Sequence, residues 1–331
     1  MIKMIFRWLI FGVVCLSTIG CKSAIVDPEF VIAEKEIVLV QDVPVGQITP
    51  KNFRTTDNIY AFLEKEKSAI STKGLMDLRA SGSAEFSEAA LLWLKQRLGE
   101  SLIIVDLRQE SHGFINGAAV TWYAKDNWLN LGKAHDAALQ DETVRLNALA
   151  REKVACIYDS RQVKHGMRDP GKFVEIERVS SEQQLAAQHN IGYLRLTVPD
   201  HMRPSDEEVD HFVVFVRTLG DRDWLHFHCR AGMGRTTTFL VMYDMLRNAD
   251  KVSLGDIVAR HAAVEPNYDL FRSRDGSSRE AIYKDRLDFV RRFYEYSKAF
   301  RSGDKAGWTE WLKRSKERSL VYSANDHFFS E

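Results

Sequence analysis

The chain has no excess charge of either sign: its 331 residues include 46 Lys and Arg against 46 Asp and Glu. Nothing global therefore favours nucleic acid, and affinity for a polyanion has to come from local clusters of cations. Internal repeats and low-complexity tracts are absent, which excludes solenoids and arrays. No apolar run is long enough to span a bilayer. Cysteines are few, only Cys15, Cys21, Cys156 and Cys229. No cluster of His, Cys and carboxylate stands at metal-ligand spacing along the chain, so neither a metal nor another cofactor is expected. What remains is an ordinary globular composition, 45% hydrophobic and 28% charged, long enough for a full-sized core.

The longest apolar stretch, Trp8 to Ile19, follows Lys3 and Arg7 and ends at Gly20-Cys21. Flanking positive charge, a short core and an abrupt polar exit are the pattern of a signal peptide. Cys21 after Thr18-Ile19-Gly20 has the form of a lipoprotein processing site, with Thr18 where Leu is more usual. Lipidation at Cys21 with a membrane tether, or ordinary cleavage or retention, both stay open. Each implies an exported protein: periplasmic, outer-membrane or secreted. Only Cys156 and Cys229 then stay in the folded body. A disulfide between them is the default of an oxidising compartment, but the surroundings of Cys229 suggest another use.

Hydrophobic periodicity divides the chain into a signal segment (1–20), a tether (21–45), a core in two parts (46–111 and 191–302), an insertion (112–190) and a tail (303–331). Strands are expected at 101–107, 191–198 and 224–228, and helices at 58–66, 87–98, 205–219, 236–247, 253–261 and 279–300. Ser205-Asp206-Glu207-Glu208 reads as a capping box. The insertion holds expected strands at 118–123 and 172–179 and a helix at 136–153. A further strand is expected at 36–40, and Trp308 and Trp311, at i and i+3, imply that part of the tail docks. Strands alternating with helices indicate an α/β sandwich.

Between the 224–228 strand and the helix after it lies His228-Cys229-Arg230-Ala231-Gly232-Met233-Gly234-Arg235-Thr236. A strand–loop–helix of this kind aims the backbone N–H groups of residues 230–234 and a helix N-terminus at one point. Gly232 and Gly234 let the backbone curl tightly. A phosphate dianion fits such a nest, and the same field favours the thiolate of Cys229. Arg235 can grip two phosphoryl oxygens with its planar fork, and Thr236 can donate its hydroxyl to the sulfur. A bare Cys-x5-Arg would also suit a buried structural cysteine; the preceding strand, His228, the two glycines and Thr236 together favour the phosphate loop.

At these residues the sequence resembles the protein-tyrosine-phosphatase superfamily and, within it, the bacterial cysteine phytases, tyrosine-phosphatase-like inositol polyphosphatases. The loop 228–238 carries the match. It extends to Asn52-Phe53-Arg54-Thr55, Ser81-Gly82-Ser83-Ala84-Glu85-Phe86-Ser87, the run from Asp106 to Gly117, Asp200-His201-Met202-Arg203-Pro204, and the region of Tyr283. The resemblance implies a tyrosine-phosphatase-like core, a central sheet flanked by helices, with a small partial β-barrel that 112–190 would supply. It also implies stepwise removal of phosphate from inositol polyphosphates without a metal.

By the same resemblance Asp200 is the general acid, although a carboxylate favouring a helix N-terminus would explain it too. Asp106 and His228 are also counted as catalytic; Asp106 either orders the loop and substrate hydroxyls or pairs with Arg108. Arg54, Lys164, His165, His201, Arg230, Arg279 and Tyr283 are the expected substrate contacts beside the loop backbone. Arg230 stands where one member of the family has an acidic residue, Arg279 where a lysine is expected, and Lys164-His165 in reversed order. A tyrosine or phosphoinositide phosphatase and a non-catalytic phosphate-binding module stay open, with intact Cys229, Arg235 and Asp200 weighing against the latter.

Overall fold

The computed structural model describes residues 37–166, 171–273 and 275–316. The signal segment, Cys21 and the first part of the tether, like residues 317–331 of the tail, lie outside the described residues.

β1 (Val38–Val43) and the short β2 (Arg54–Thr55) precede α1 (Thr56–Lys65), where the Thr55 hydroxyl accepts from the Asn58 amide at 3.1 Å. β3 (Ala80–Ala84) leads into α2 (Glu88–Leu98), capped by Ser87, and then β4 (Leu102–Asp106). β5 (His112–Ile115) and β6 (Ala118–Tyr123) form a hairpin. Its turn, Asn116-Gly117, takes the left-handed φ values of 51° and 84° that this dipeptide adopts without strain. α3 (His135–Leu149), β7 (Val154–Asp159), α4 (Ser160–Lys164), β8 (Lys172–Glu175) and β9 (Val179–Ser180) follow. α5 (Glu182–Gln188) opens on a capping box of Ser181 and Gln184. β10 (Gly192–Arg195), α6 (Asp206–Val216) and β11 (Trp224–Cys229) complete the strands. α7 (Gly234–Asn248), α8 (Leu254–Ala262) and α9 (Glu280–Arg301) close the core.

Two sheets result. The central one runs β10-β4-β11-β3-β2, parallel except for β2, and is flanked by helices. Alternation along β11 sends Leu225, Phe227 and Cys229 into the cluster built with α6, α7 and α9, and leaves His226 and His228 for the other face. α7 is buried all round except at Gly234 and Arg247, the signature of a central helix. Trp308 is 1% exposed, stacked on Trp311 and packed edge-on to Phe289.

The second sheet runs β8-β7-β1-β6-β5-β9, and it corrects two expectations. The tether does not extend to residue 45, because 38–43 is a strand between β7 and β6, so the insertion is completed from outside its own boundaries. The expected strand at 172–179 splits into β8 and β9 at opposite edges. Asn116 holds the crossing, its Oδ1 accepting from the amides of Glu177 and Arg178 at 2.9 and 3.0 Å. β3 had no strand signature, since Ala-Ser-Gly-Ser-Ala lacks branched residues. Small residues are required there: a Cβ on Gly82 would come within 2.7 Å of Thr236.

Candidate active site

The parallel ladders of β11 align Cys229 with Ala84 and His228 with Asp106, so the carboxyl ends of three strands meet at one point. The loop from Cys229 to Gly234 is fastened from behind. Asn52 Nδ2 donates to the Ala231 carbonyl at 2.8 Å, and Arg54 Nη1 to the Gly232 carbonyl at 2.9 Å. Turning those carbonyls outward leaves the loop amides as the donors on its concave side. Gly232 has φ 68°, and a Cβ there would stand 2.3 Å from the Ala84 amide; no other residue fits. Cys229 is 2% exposed, and its Sγ accepts from the Thr236 hydroxyl at 3.2 Å.

Arg235 is clamped in a fork by Glu110, Nη1 to Oε2 at 2.7 Å and Nη2 to Oε1 at 2.9 Å, and it lies 3.3 Å from Asp200. Burial pushes Glu110 up, but the charges of Arg235 and Arg108 hold it well below the usual carboxylate range. Asp200 is held by Asn127 Nδ2 at 3.2 Å, and its carbonyl by Trp128 Nε1 at 2.9 Å. Burial raises its carboxyl too, yet Arg235 outweighs this, and the net shift is downward. Its side chain is 24% exposed, open to the pocket.

Beneath the loop lies a buried polar layer. Asp106 is fully buried and paired with Arg195 at 2.7 Å and His112 at 3.1 Å. It meets Arg108 only through that residue's amide, because the Arg108 guanidinium binds Glu85, Glu110 and Asp42. His228 Nε2 lies 2.8 Å from Glu182. Burial lowers its pKa, but Glu182 and Glu85 raise it further, to about 9. Neither Asp106 nor His228 reaches the pocket, which corrects their assignment as catalytic groups; they support the loop from below.

The pocket itself has a volume of about 420 Å³. Of the residues expected there, Cys229, Arg230, Ala231, Met233, Gly234, Asp200, His201, Lys164, Arg279 and Tyr283 line it. Gly232, Arg235 and Thr236 complete the loop behind that surface. Arg54 is not on the wall: it is 2% exposed, and its guanidinium is spent on Gly232, Asn52 and Thr237. His165 is exposed outside the lining. Arg230 is no free cation, since Asp42 binds its Nε at 2.8 Å and the Tyr123 ring lies 4.8 Å below it.

Tyr123, Asp126, Asn127, Tyr268 and Arg286 also line the pocket and were not expected. Arg286 donates to the Tyr268 hydroxyl at 2.7 Å, while its buried Nη1 has no partner. A signal for it existed: in the expected helix 279–300, positions 279, 283 and 286 stand at i, i+4 and i+7, and in the structure Tyr283 and Arg286 follow Arg279, the N-cap of α9. Asp42 and Glu110 have no comparable signal, because their partners are set by tertiary contact. Two groupings of metal-capable side chains, Glu85/His112/Glu182 and Asp106/Glu182/His228, belong to the buried layer, where Arg108 and Arg195 already supply positive charge.

The PTP-like phytase family model, described by the words inositol hexakisphosphate, matches residues 105–247. The PTP-like myo-inositol phosphatase of Mitsuokella multacida, solved in complex with myo-inositol-(1,3,4,5)-tetrakisphosphate, is 33% identical with a TM-score of 0.78, over 86% of this chain and 49% of that one. A PTP-like phytase from Bdellovibrio bacteriovorus is 36% identical with a TM-score of 0.69, over 83% of this chain and 94% of that one. The effector protein hopD2 of Pseudomonas syringae pv. tomato is 31% identical over 265 residues, 78% of this chain and 56% of hopD2. The chain thus spans about half the length of hopD2 and of the Mitsuokella protein.

Proposed function

The chain belongs to the PTP-like phytase family, and from that premise we propose that it is a cysteine-dependent phosphatase acting on myo-inositol polyphosphates. One observation carries the proposal: a single pocket has Cys229 in its lining together with the cationic side chains of Lys164 and Arg286, and with Arg230 and Arg279, which are paired to Asp42 and Asp126. A monophosphate needs only the loop; cations beyond it suit a substrate whose other phosphates are not being cleaved.

The chemistry follows from the positions. The Cys229 thiolate attacks phosphorus while the loop amides and the Arg235 fork hold the equatorial oxygens, where negative charge is spread. Asp200 in its acid form gives a proton to the leaving inositol oxygen, a poor leaving group without one. The product is cysteinyl-phosphate. Asp200, now a carboxylate, takes a proton from water as that water attacks phosphorus, and the thiolate leaves, stabilised by the Thr236 hydroxyl. Phosphate departs and Asp200 is again protonated. Neither step uses a metal.

A second reading is favoured by Arg230. Its charge is held by Asp42, and hopD2, an effector, is among the relatives; a phosphoprotein or phosphoinositide substrate would suit a pocket with fewer free cations. The test is kcat/KM on phytate against a phosphotyrosine peptide, with chromatography of the inositol phosphates formed. A series of lower inositol phosphates supports the proposal, and preference for the peptide overturns it. Export with lipidation at Cys21 also stands as a proposal, supported by the charge and apolar pattern of residues 1–21, and is tested by fatty-acid labelling of wild type and Cys21→Ser.

A further inference from the structure

The capping box expected at Ser205–Glu208 is only half formed. The Ser205 hydroxyl accepts from the Glu208 amide at 3.2 Å, but the Glu208 carboxylate is engaged elsewhere. Glu208 is 2% exposed. Its Oε1 lies 2.7 Å from Nδ1 of His135 and accepts from the Thr197 hydroxyl at 2.5 Å. Its Oε2 lies 3.6 Å from Nδ1 of His211 and has no hydrogen-bond partner. The two imidazoles meet edge to face with centroids 5.3 Å apart. One ligand atom from each of the three side chains lies within 4.8 Å of the others.

A His–Glu hydrogen bond alone explains His135 but leaves a buried carboxylate oxygen unsatisfied and a second imidazole beside it. Two histidines and one carboxylate are a donor set that holds zinc, usually with water in a fourth position. Bond lengths of about 2.0–2.2 Å separate tetrahedral ligand atoms by roughly 3.3 Å. The observed spacings, 2.7 Å from Oε1 to His135 and 3.6 Å from Oε2 to His211, straddle that value, and the three ligand atoms all lie within 4.8 Å of one another, so side-chain rotations can bring them onto one ion. Thr197 is the outer hydrogen bond that orients a ligating carboxylate. His211 has a side-chain exposure of 45%, which leaves solvent access for the fourth ligand.

We propose that His135, Glu208 and His211 bind one divalent transition metal of the zinc type, outside the phosphate pocket and taking no part in phosphoryl transfer. The ion joins the first residue of α3 to the first two turns of α6. These helices bracket the general-acid segment: α3 follows the Asn127-Trp128 pair that hydrogen-bonds Asp200, and α6 follows the Asp200–Pro204 stretch itself. The metal acts as a clamp on both. Sequence spacing conceals the site because its ligands come from positions 135, 208 and 211.

The test uses the full chain carrying Cys229→Ser, which removes the reactive thiol as a competing ligand. After chelator treatment it is titrated with cobalt(II) and with zinc. One equivalent is expected to bind, with cobalt(II) d–d absorption and no thiolate charge-transfer band, and zinc should raise the melting temperature in a way that chelator reverses. His211→Ala, at a half-exposed helix position that should not disturb folding, is expected to weaken binding by about tenfold or more; His135→Ala should do the same. Failure to bind one equivalent, affinity unchanged in His211→Ala, or a thiolate band that puts the metal on a cysteine would each overturn the proposal.

Discussion

The guanidinium of Arg235 lies 3.3 Å from the carboxylate of Asp200. With no ligand bound, that charge holds the Asp200 carboxyl below its ordinary pKa despite burial. A phosphoryl dianion gripped by Arg235 cancels the field and adds negative charge beside the carboxyl, which raises its pKa. On the proposed mechanism, substrate would thus convert Asp200 into the acid the first step needs.

The pH profile should report this. A general acid works protonated, so kcat for an alkyl phosphate falls as pH rises through the Asp200 pKa of the complex. Asp200→Asn is expected to abolish that descending limb and to cost about 10²–10⁴-fold on alkyl esters. An aryl ester with a good leaving group should lose far less. Equal losses on both esters would make Asp200 structural.

Cys229→Ser should reduce turnover by more than about 10³-fold, roughly 4 kcal/mol of barrier. The fold and phosphate affinity should persist, because the loop is fastened through Asn52 and Arg54 and not through the sulfur. Isothermal titration with phosphate and a thermal melt check both parts.

The pocket cations should separate from the buried one. Arg279→Ala and Arg286→Ala are expected to raise KM for phytate more than KM for a small monophosphate ester, each lost charge-assisted contact being worth up to about 1.5–3 kcal/mol where desolvated. Rising salt should weaken phytate binding in wild type and less so in the variants. Arg54→Ala is expected to behave differently, slowing both substrates alike and lowering the melting temperature, since Arg54 supports the loop from behind. Steady-state kinetics at two ionic strengths distinguish the classes.

The buried histidines set an alkaline limit. Burial lowers the pKa of both, but Glu182 and Glu85 carry His228 to about 9, and Asp106 and Glu142, against Arg108, carry His112 to about 10. A pKa raised in the folded state contributes stability that is complete below the unfolded value of about 6.5 and is lost as pH rises through the folded one. Melting temperature should therefore decline between about pH 6.5 and 10. His112→Gln should flatten part of that decline, and an unchanged slope would remove His112 as its cause.

The amino-acid sequence alone determined the parts whose physics is local. Period and capping marked α1, α2, α6, α7, α8 and α9 to within a few residues. The loop from Cys229 to Thr236 was legible because anion capture needs a strand, glycines, an arginine and a helix in immediate succession. Interactions across the fold were not legible in this way. Asp42 pairs with Arg230 across 188 positions, and it turns a residue that reads as a substrate-binding cation into one half of an ion pair. Arg54 reads as a pocket residue by its chemistry, yet it is buried and its two Nη groups donate to Asn52, Gly232 and Thr237. Asp106 and His228 read as catalytic by their nearness in sequence to the strand ends, and strand alternation turns them into the buried layer below. Charge type and local spacing belong to the sequence; which charges stay free to meet a ligand is decided only when distant segments pack, because burial forces each buried ion to take the nearest partner.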